Sequence, residues 1–435
     1  MSYKSRYQSF IFESYEFDKK TATATFHYSF DGQRTFHEKV QFAFSGDNYD
    51  SVVLTSALEL AFWVSGVSYY KAFPTTSVIF KTSSPNPGQA RFLTRVYSEG
   101  LSQYIFENKL HLDQLVIFTG VERAAQASHY DGNGTLVLQS GGKDSLLLAS
   151  LLEEQSIVYQ PWYISSSEHY PIVLDSLQYP VECAKRTIDR GALKKAASDG
   201  ALNGHVPVTY IVLSFAIVQM VLENKNTVLA AIGVEGEEPH AYVDEMAVNH
   251  QWSKTWTAEQ LFAAYVQQHI SPDIMVGSPL RPFAELKIAE LFSYHSWNRF
   301  GALFSSCNSA NYQQGADNST LQWCGICPKC ANSYLLFAPF VSAEKLKGLF
   351  SGKDLFAQAS LQDIFKGLLG IDNVMKPFEC IGEIAELRLA YHMAQRKHGE
   401  SIEKLSFEVP VSKFDYNKLQ PAQSWTKKFV APVYS

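Results

Sequence analysis

The sequence has no excess of positive charge. Its 37 lysines and arginines are outnumbered by 43 aspartates and glutamates, which gives a net charge of −6. Proteins that hold nucleic acid rely on clustered lysine and arginine side chains, and the sequence offers no such basic field. The composition therefore argues against a nucleic-acid partner.

Cysteine is also scarce, with six in 435 residues, too few for a secreted disulfide scaffold. The N-terminal stretch MSYKSRYQSFIFESYEFDKK lacks the apolar core of a signal peptide, and no apolar run reaches the roughly 18 residues that a membrane span needs. We expect a soluble, cytoplasmic protein without membrane contact. An apolar content of 46% indicates a globular chain, long enough for two or three domains.

The first 125 residues mix strand and helix patterns. FIFESYEF, TATATFHYSF and RTFHEKVQFAF alternate apolar and polar residues, and the turn signals DKK and DGQ separate them, which predicts a three-stranded antiparallel meander. The stretch 51–73 predicts a helix that breaks near Gly66. SVIFKTSS predicts a strand and NPGQARFLTRVYSEGLSQYIFENKL a further helix. We therefore predict an N-terminal α+β domain over residues 1–125.

Strands and helices alternate after that point. LVLQ, SIVYQPWYIS and NTVLAAIGVE predict strands, and VTYIVLSFAIVQMVLEN predicts a buried helix. This order is typical of an α/β fold with a doubly wound parallel sheet, in which ligands sit beyond the carboxyl ends of the strands. We predict this domain over residues 126–340. Helical spacing in SAEKLKGLF, LQDIFKGLLG and CIGEIAELRLAYHMAQRKHG predicts a helical C-terminal region over 341–435.

The stretch LVLQSGGKDSLLLAS, residues 136–150, joins a predicted strand to a predicted helix through two glycines. A helix N-terminus leaves backbone N–H groups unpaired and carries partial positive charge, so this junction suits a phosphate. Its spacing is not the G-x-x-x-x-G-K-[ST] of kinases and GTPases, and an ordinary strand-to-helix turn is the alternative. The candidate anion-binding residues are Ser140, Gly141, Gly142, Lys143, Asp144 and Ser145.

Four of the six cysteines lie within one short region, in SSCNSAN and WCGICPKCANSY. Four thiolates at tetrahedral geometry select Zn²⁺, and a site with no open position is structural. An iron–sulfur cluster also uses four cysteines, so it is a second interpretation of this region. Chance clustering of the cysteines is the third. The predicted ligands are Cys307, Cys324, Cys327 and Cys330.

Three polar clusters interrupt apolar surroundings, at residues 200–212, 233–256 and 277–292. Imidazole titrates near neutral pH, which makes His205 and His250 acid/base candidates. Glu235 or Glu237 could take the place of one of them. His205 is equally explained as a cap or a core histidine. Arg281 can bind a phosphate or carboxylate, or pair with Glu285 one turn on. The candidates are His205, Glu235, Glu237, His250, Lys254 and Arg281.

The string SGGKDS resembles the PP-loop of the N-type ATP pyrophosphatases, which cleave ATP between its α and β phosphates. The resemblance implies that Ser140, Gly141, Gly142 and Ser145 bind the leaving pyrophosphate, with Asp144 near a magnesium ion. It leaves open which acceptor is adenylated.

Several further stretches resemble one family within that class, the UDP-N-acetylmuramoyl-L-alanyl-L-glutamate epimerases or MurL family. They are GVSYYKAF, YSEGLSQYIFENKL, ALNGHVPVT, VNHQWSK, SPLRPFAELKIAELF, SCNSA with WCGICPKC, and KPFECIGE. The resemblance implies ATP- and magnesium-dependent inversion of the terminal L-glutamate of UDP-MurNAc-L-Ala-L-Glu, with release of AMP and pyrophosphate, in peptidoglycan precursor synthesis. GVEGEEPHAY departs from the family pattern, in which an Asn-Glu-Arg type of segment is expected.

Two other functions stay open. A PP-loop ligase or amidating enzyme of the 7-cyano-7-deazaguanine synthase type looks similar in its late four-cysteine site, and it would require ammonia. A non-catalytic, zinc-stabilised nucleotide-binding module would release no pyrophosphate with any acceptor. The oligomeric state does not follow from the sequence.

Overall fold

The computed structural model describes residues 3–44, 46, 48–124, 127–167, 169–311 and 319–434. Within them, nine strands form one sheet and two form a separate hairpin. In chain order the strands are β1 Ser9–Asp18, β2 Thr23–Phe30, β3 Arg34–Gln41, β4 Ser77–Phe80, β5 Thr135–Leu138, β6 Gln160–Ser165, β7 Glu182–Ile188, β8 Thr227–Leu229, β9 Ala241–Val243, β10 Met246–Val248 and β11 Met275–Gly277.

The described α-helices vary from one turn to fifteen residues. They are α1 Ser51–Ser65, α2 Val67–Tyr70, α3 Pro87–Ser98, α4 Ser102–Glu107, α5 Lys143–Glu154, α6 Arg190–Ser198, α7 Val208–Leu222, α8 Trp256–His269, α9 Glu285–His295, α10 Trp297–Phe300, α11 Asn308–Asn311, α12 Pro328–Phe337, α13 Ala343–Leu349, α14 Gln362–Leu369 and α15 Ile384–His398. Short 3₁₀ segments cover Glu99–Leu101, Leu112–Gln114, Ile172–Ser176, Trp252–Lys254, Ala359–Leu361, Gly399–Ser401 and Ser424–Val433.

The nine-stranded sheet runs in the order β11-β8-β5-β6-β7-β3-β2-β1-β4. The five strands from β11 to β7 are parallel to one another, which confirms the predicted α/β class. The strand order reverses between β5 and β8, because β6 and β7 lie on one side of β5 while β8 and β11 lie on the other. In open α/β sheets the crevice at such a reversal is where ligands bind.

The predicted meander is confirmed in β1, β2 and β3, which pair antiparallel in chain order. Its DGQ turn has two successive residues with positive φ, Asp31 at 52° and Gly32 at 69°, a conformation that Asp and Gly tolerate well. The last strand of the meander, β3, pairs antiparallel with β7 of the parallel part. The two parts of the chain therefore share one sheet, and the domain boundary near residue 125 stays a prediction.

Alternate residues along the parallel strands enter different halves of the core. Leu136 and Trp162 pack with α1, α3 and α7, whereas the adjacent Val137 and Tyr163 pack with α5, α9 and α12. Because successive side chains of a strand point to opposite faces, this division shows helices on both faces of the sheet. VTYIVLSFAIVQMVLEN is confirmed as the buried helix α7, with 12 buried residues.

The predicted helix break near Gly66 is also confirmed, since α1 ends at Ser65 and α2 begins at Val67. A Cβ at Gly66 would lie 2.7 Å from the Phe12 ring and 2.8 Å from the Tyr97 hydroxyl, so close packing requires glycine there. By length and composition Ser51–Tyr70, with 20 residues and a mean hydropathy of 1.4, is long and apolar enough to span a membrane. The expectation that no stretch meets that criterion was therefore wrong. In the fold, 72% of its apolar window is buried.

The chain after residue 340 contains α13, α14 and α15 at the three predicted helical stretches. Residues 402–423 then form neither helix nor strand, and the 3₁₀ segment Ser424–Val433 follows. The predicted domain boundary near residue 340 stays a prediction.

Candidate functional site

The first part of the candidate site is the loop between β5 and α5, at the reversal of strand order. The Oγ atoms of Ser140 and Ser145 lie 3.2 Å apart, and the Gly142 backbone N–H donates to Ser140 Oγ at 3.3 Å. Gly141 has φ of +74°, and a Cβ there would lie 2.6 Å from Leu321 Cδ1, so the turn requires glycine. No side chain caps the start of α5. Such a helix start suits a phosphate group.

Lys143 lies buried at the start of α5 between two carboxylates. Its Nζ donates to Asp144 Oδ1 and to Glu285 Oε2, both at 2.6 Å. Burial works against the charge on Lys143, but Asp144 and Glu285 outweigh burial and raise its pKa. Burial raises the pKa of Glu285 to about 7 against the attraction of Lys143, and the charges of Asp144 and Glu235 add to the rise. Glu285 is therefore an unusually basic carboxylate beside the loop.

The segment after β8 brings a second carboxylate to the same place. Val234 forms a parallel bridge with Ala284, which places Glu235 and Glu285 on adjacent strands of backbone. Both carboxylate oxygens of Glu235 lie 3.2 Å from Lys254 Nζ. Glu235 is buried, yet the charges of Lys254 and other lysines outweigh burial and lower its pKa.

Lys254 connects the loop with the polar segment 233–256. Burial works against its charge, but Cys380, Glu235 and Asp144 outweigh burial and raise its pKa. Lys254 also contributes to lowering the pKa of His250. Contacts also connect the two regions: Lys254 bonds to Glu235, which adjoins Glu285 through the Val234–Ala284 bridge. Glu285 in turn bonds to Lys143 of the loop, so the predicted residues of the loop and of the segment that carries His250 belong to one charged cluster.

His205 and His250 are in contact, with ring centroids 4.3 Å apart and an angle of 41° between the ring planes. Burial, helped by His250 and Lys71, lowers the pKa of His205 to about 3. Burial outweighs the charge of Glu379 and lowers the pKa of His250 to about 4. Both rings are therefore neutral at pH 7. A carbon atom between two rings would need a ring separation of about 7 Å, so the pair can act on only one face of a substrate carbon.

The remaining predicted residues lie at the edge of this cluster or beneath it. Glu237 is exposed, and its Oε1 accepts a hydrogen bond at 2.7 Å from the backbone N–H of Trp256, the first residue of α8. Arg281 is only 1% exposed. Its Nε donates to Glu259 Oε2 at 2.8 Å and its Nη1 donates to the Gly233 carbonyl at 2.6 Å. The alternative in which Arg281 pairs with Glu285 was wrong, and its role in binding a phosphate stays a prediction.

Replacement of Arg281 by lysine is expected to affect the stability of the fold more than the predicted binding of ATP. Lysine cannot make the bonds to Glu259 and Gly233 together, and loss of one charge-assisted bond costs about 1.5–3 kcal/mol. The free energy of unfolding should fall by about that amount in urea titrations, while the KM for ATP changes less than about threefold. A large rise in the KM for ATP with unchanged stability would instead place Arg281 at the nucleotide.

The four predicted cysteine ligands come together beside this region. Their Sγ atoms all lie within 4.8 Å of one another, and the contacts Cys307–Cys327, Cys324–Cys330 and Cys327–Cys330 measure 3.6, 3.7 and 3.6 Å. A tetrahedral zinc ion with Zn–S bonds of about 2.3 Å places its sulfurs about 3.8 Å apart. An iron–sulfur cubane holds its cysteines farther apart, because irons and sulfides lie between them. The cluster can therefore hold a single metal ion such as zinc.

Several residues that the sequence patterns did not single out complete the site. Lys329 lies on α12 within the cysteine motif, and its Nζ donates to the carbonyl of Cys380. Gln103 Oε1 lies 2.6 Å from His250 Nδ1, and Lys71 Nζ donates to the Gly204 carbonyl at 2.6 Å. The only local signal was their presence in GVSYYKAF, YSEGLSQYIFENKL and WCGICPKC, since each contact joins distant parts of the chain.

Comparison with known proteins gives the family. The MurL N-terminal domain matches residues 1–276, and the MurL C-terminal domain matches residues 303–413. The UDP-N-acetyl-alpha-D-muramoyl-L-alanyl-L-glutamate epimerase of Xanthomonas oryzae pv. oryzae is 32% identical over 398 residues, which cover 89% of this chain and 86% of that protein. The proteins of the same name from Salinispora tropica and a Micromonospora species are 31% and 32% identical, over 91% and 88% of this chain and 86% and 85% of their own lengths. The chain therefore belongs to the MurL family.

Proposed function

We propose that this chain is an ATP-dependent epimerase that inverts the terminal L-glutamate of UDP-MurNAc-L-Ala-L-Glu to D-glutamate in peptidoglycan precursor synthesis. The names of its relatives supply the substrate and the isomerase reaction. The observation that carries the mechanism is the position of Lys254. It bonds to Glu235, which adjoins Glu285 through the Val234–Ala284 bridge, and Glu285 bonds to Lys143 of the loop. It also follows His250, which contacts His205, by four residues in the chain. Carboxylate activation and proton transfer can therefore take place in one cluster of side chains.

The loop is proposed to act as a PP-loop that binds the leaving pyrophosphate of ATP. Ser140, Gly141, Gly142 and Ser145 supply hydroxyl and backbone donors at the start of α5. Mg²⁺ prefers carboxylate oxygens, and Asp144 at the start of this helix fits that preference. When bound, the ion neutralises phosphate charge.

Adenylation makes the α-proton removable. A proton on the carbon beside a carboxylate is hard to remove, because the resulting carbanion would lie next to an existing negative charge. An acyl adenylate cancels that charge and makes the carbonyl an electron sink. Proton transfer to a positioned side chain is then feasible, and hydrolysis releases the D-isomer with AMP.

The histidine pair is proposed to exchange the proton on one face of the carbon. One neutral imidazole accepts the proton, and its neighbour in contact can share the charge. The raised pKa of Lys254 keeps its ammonium charged, so it is proposed to bind the carboxylate or diphosphate of the substrate. Glu237 is the acid/base candidate for the opposite face. Glu235, 3.2 Å from that ammonium, is proposed to hold it in place.

The proposal is tested with purified protein, ATP, Mg²⁺ and UDP-MurNAc-L-Ala-L-Glu in D₂O. Pyrophosphate release is followed, and the glutamate of the product is analysed for chirality and for deuterium at Cα. We expect D-glutamate that carries deuterium. Pyrophosphate formed only with another acid would overturn the assignment of the substrate. A requirement for ammonia, with transfer of its nitrogen to the product, would identify a ligase or amidating enzyme.

Replacement of either histidine by asparagine is expected to separate the two steps. Solvent deuterium exchange at Cα should fall by about 10²- to 10⁴-fold, the usual contribution of a general acid or base. Pyrophosphate release should change much less, because neither imidazole is assigned to ATP. The matched control is His129→Asn, an exposed histidine bonded to Asp273. Parallel loss of pyrophosphate release and exchange would assign His205 and His250 to substrate binding or adenylation instead.

A proposed structural zinc ion on Cys307, Cys324, Cys327 and Cys330 completes the assignment. Sugar-nucleotide substrates and ATP are available in the cytoplasm, where we propose that the protein acts.

A further inference from the structure

Lys71 is a half-buried cation that adjoins the histidine pair from the N-terminal part of the chain. It directly follows α2, and its Nζ donates to the Gly204 carbonyl at 2.6 Å. Gly204 is the residue before His205 in the chain. The bond therefore places the ammonium at the peptide group that leads into His205, and its charge contributes, after burial and His250, to lowering the pKa of that imidazole.

Two of the other buried lysines near the site have carboxylate partners, whereas Lys329 bonds to the Cys380 carbonyl. Lys143 bonds to Glu285 at 2.6 Å, and Lys254 bonds to Glu235 at 3.2 Å. Lys71 forms no ion pair with any carboxylate of the described residues, and burial lowers its pKa to about 8. A half-buried ammonium bonded only to a neutral carbonyl favours an incoming anion, because the anion supplies the missing opposite charge.

The backbone around Lys71 is fixed before any substrate arrives. The Tyr104 hydroxyl donates to the Lys71 carbonyl at 2.8 Å, and the Leu202 N–H donates to the Ala72 carbonyl at 2.9 Å. Asn108 Nδ2 donates to the Asn203 carbonyl at 3.0 Å, so the segment before His205 is held against the same helices. A preorganised cation of this kind binds an anion without first ordering a loop.

We propose that Lys71 binds the side-chain carboxylate of the terminal glutamate and thereby makes the reaction selective for a dicarboxylic residue. This role rests on the proposed epimerase function. Adenylation removes the charge of the α-carboxylate, so the side-chain carboxylate is the free carboxylate that remains on the reacting residue. Its binding at Lys71 would place Cα beside His205 and His250.

The side-chain carboxylate of the substrate would also change the basicity of His205. An ammonium next to an imidazole favours the neutral ring, and a carboxylate that pairs with the ammonium reduces this effect. Binding of the correct substrate would therefore make His205 more basic at the moment when it must accept a proton. A glutamine side chain, being uncharged, would not have this effect.

The test compares UDP-MurNAc-L-Ala-L-Glu with UDP-MurNAc-L-Ala-L-Gln in the wild type and in Lys71→Met. We expect the ratio of kcat/KM for the two substrates to fall by about tenfold to a hundredfold in the variant, mainly through loss of activity on the glutamate substrate. Lys81→Met is the matched control, because Lys81 is 52% exposed and pairs with Glu13. An equal loss of kcat/KM on both substrates would show that Lys71 acts only through its structural bond to Gly204, and it would overturn the proposal.

A second measurement uses the wild-type protein and does not depend on the folding of a variant. Lysines are acetylated with a trace of acetic anhydride at pH 8, and modification at Lys71 is measured by mass spectrometry relative to Lys81. The glutamate substrate should protect Lys71 by about fivefold or more, and the glutamine analogue clearly less. Equal protection by both would contradict the carboxylate contact. A wild type that turns over neither substrate would overturn the proposed function itself, whereas normal turnover with unchanged selectivity in Lys71→Met would overturn only this inference.

Discussion

Replacement of Cys330 by serine is expected to abolish metal binding and to cause a large loss of stability. Cys330 is fully buried, and its Sγ lies 3.6 Å from Cys327 Sγ and 3.7 Å from Cys324 Sγ. A serine hydroxyl stays protonated near neutral pH and is a poor ligand for zinc. Because metal binding contributes folding free energy, the melting temperature should fall by about 10 °C or more.

Metal analysis and thermal melting check this expectation together. The wild type should contain about one zinc ion per chain, and the variant close to none. Cys183→Ser is the matched control, because Cys183 lies on β7, outside the cluster, and should keep both metal and melting temperature. Iron with visible absorbance in the wild type would contradict the zinc assignment. A metal-free variant of normal stability would show that the ion does not support the fold.

Replacement of Lys143 by methionine is expected to damage both the fold and the release of pyrophosphate. The change leaves the buried Glu285 without its cation, and breaking a buried ion pair by removing one partner costs about 3–5 kcal/mol. It also removes positive charge from the proposed pyrophosphate site, and the rate of pyrophosphate release should fall by about 10²- to 10³-fold. Urea unfolding and a pyrophosphate assay measure the two effects separately.

A double variant separates the structural from the catalytic contribution of Lys143. Glu285→Gln removes the carboxylate that Lys143→Met leaves unpaired, so the double variant should recover most of the lost free energy of unfolding. Pyrophosphate release should stay low, because the charge at the phosphate is still missing. Recovery of activity together with stability would show that Lys143 serves only to neutralise Glu285.

The parts of the fold that the sequence predicted are those with strong local patterns. The meander alternates apolar and polar residues, and the helix after Ser51 is broken by a glycine whose neighbours leave no room for a side chain. The sequence of β7, ECAKRTI, carries polar residues at most positions and showed no strand signal. It is a strand because β6 and β3 lie on either side of it and supply hydrogen-bond partners.

The residues of the site also fall into those that the sequence predicted and those that it did not. The glycine loop and the cysteine motif were recognisable because their residues lie close together in sequence. The partner of Arg281 was not recognisable, because Glu259 lies 22 residues away, on α8. The bond between Lys71 and Gly204 spans 133 residues and arises from the packing of α2 against the segment before α7.

The pairing of β3 with β7 has a consequence for synthesis on the ribosome. β3 ends at residue 41 and β7 begins at residue 182, so 140 residues separate the two partners. At about 5–20 residues per second, roughly 7–28 s pass between the emergence of the two strands. During that time β3 is an open edge strand to which another nascent chain can pair. The exposed polar residues at alternate positions of β3, Thr35, His37, Lys39 and Gln41, protect that edge, since charged and polar side chains disfavour pairing with other chains.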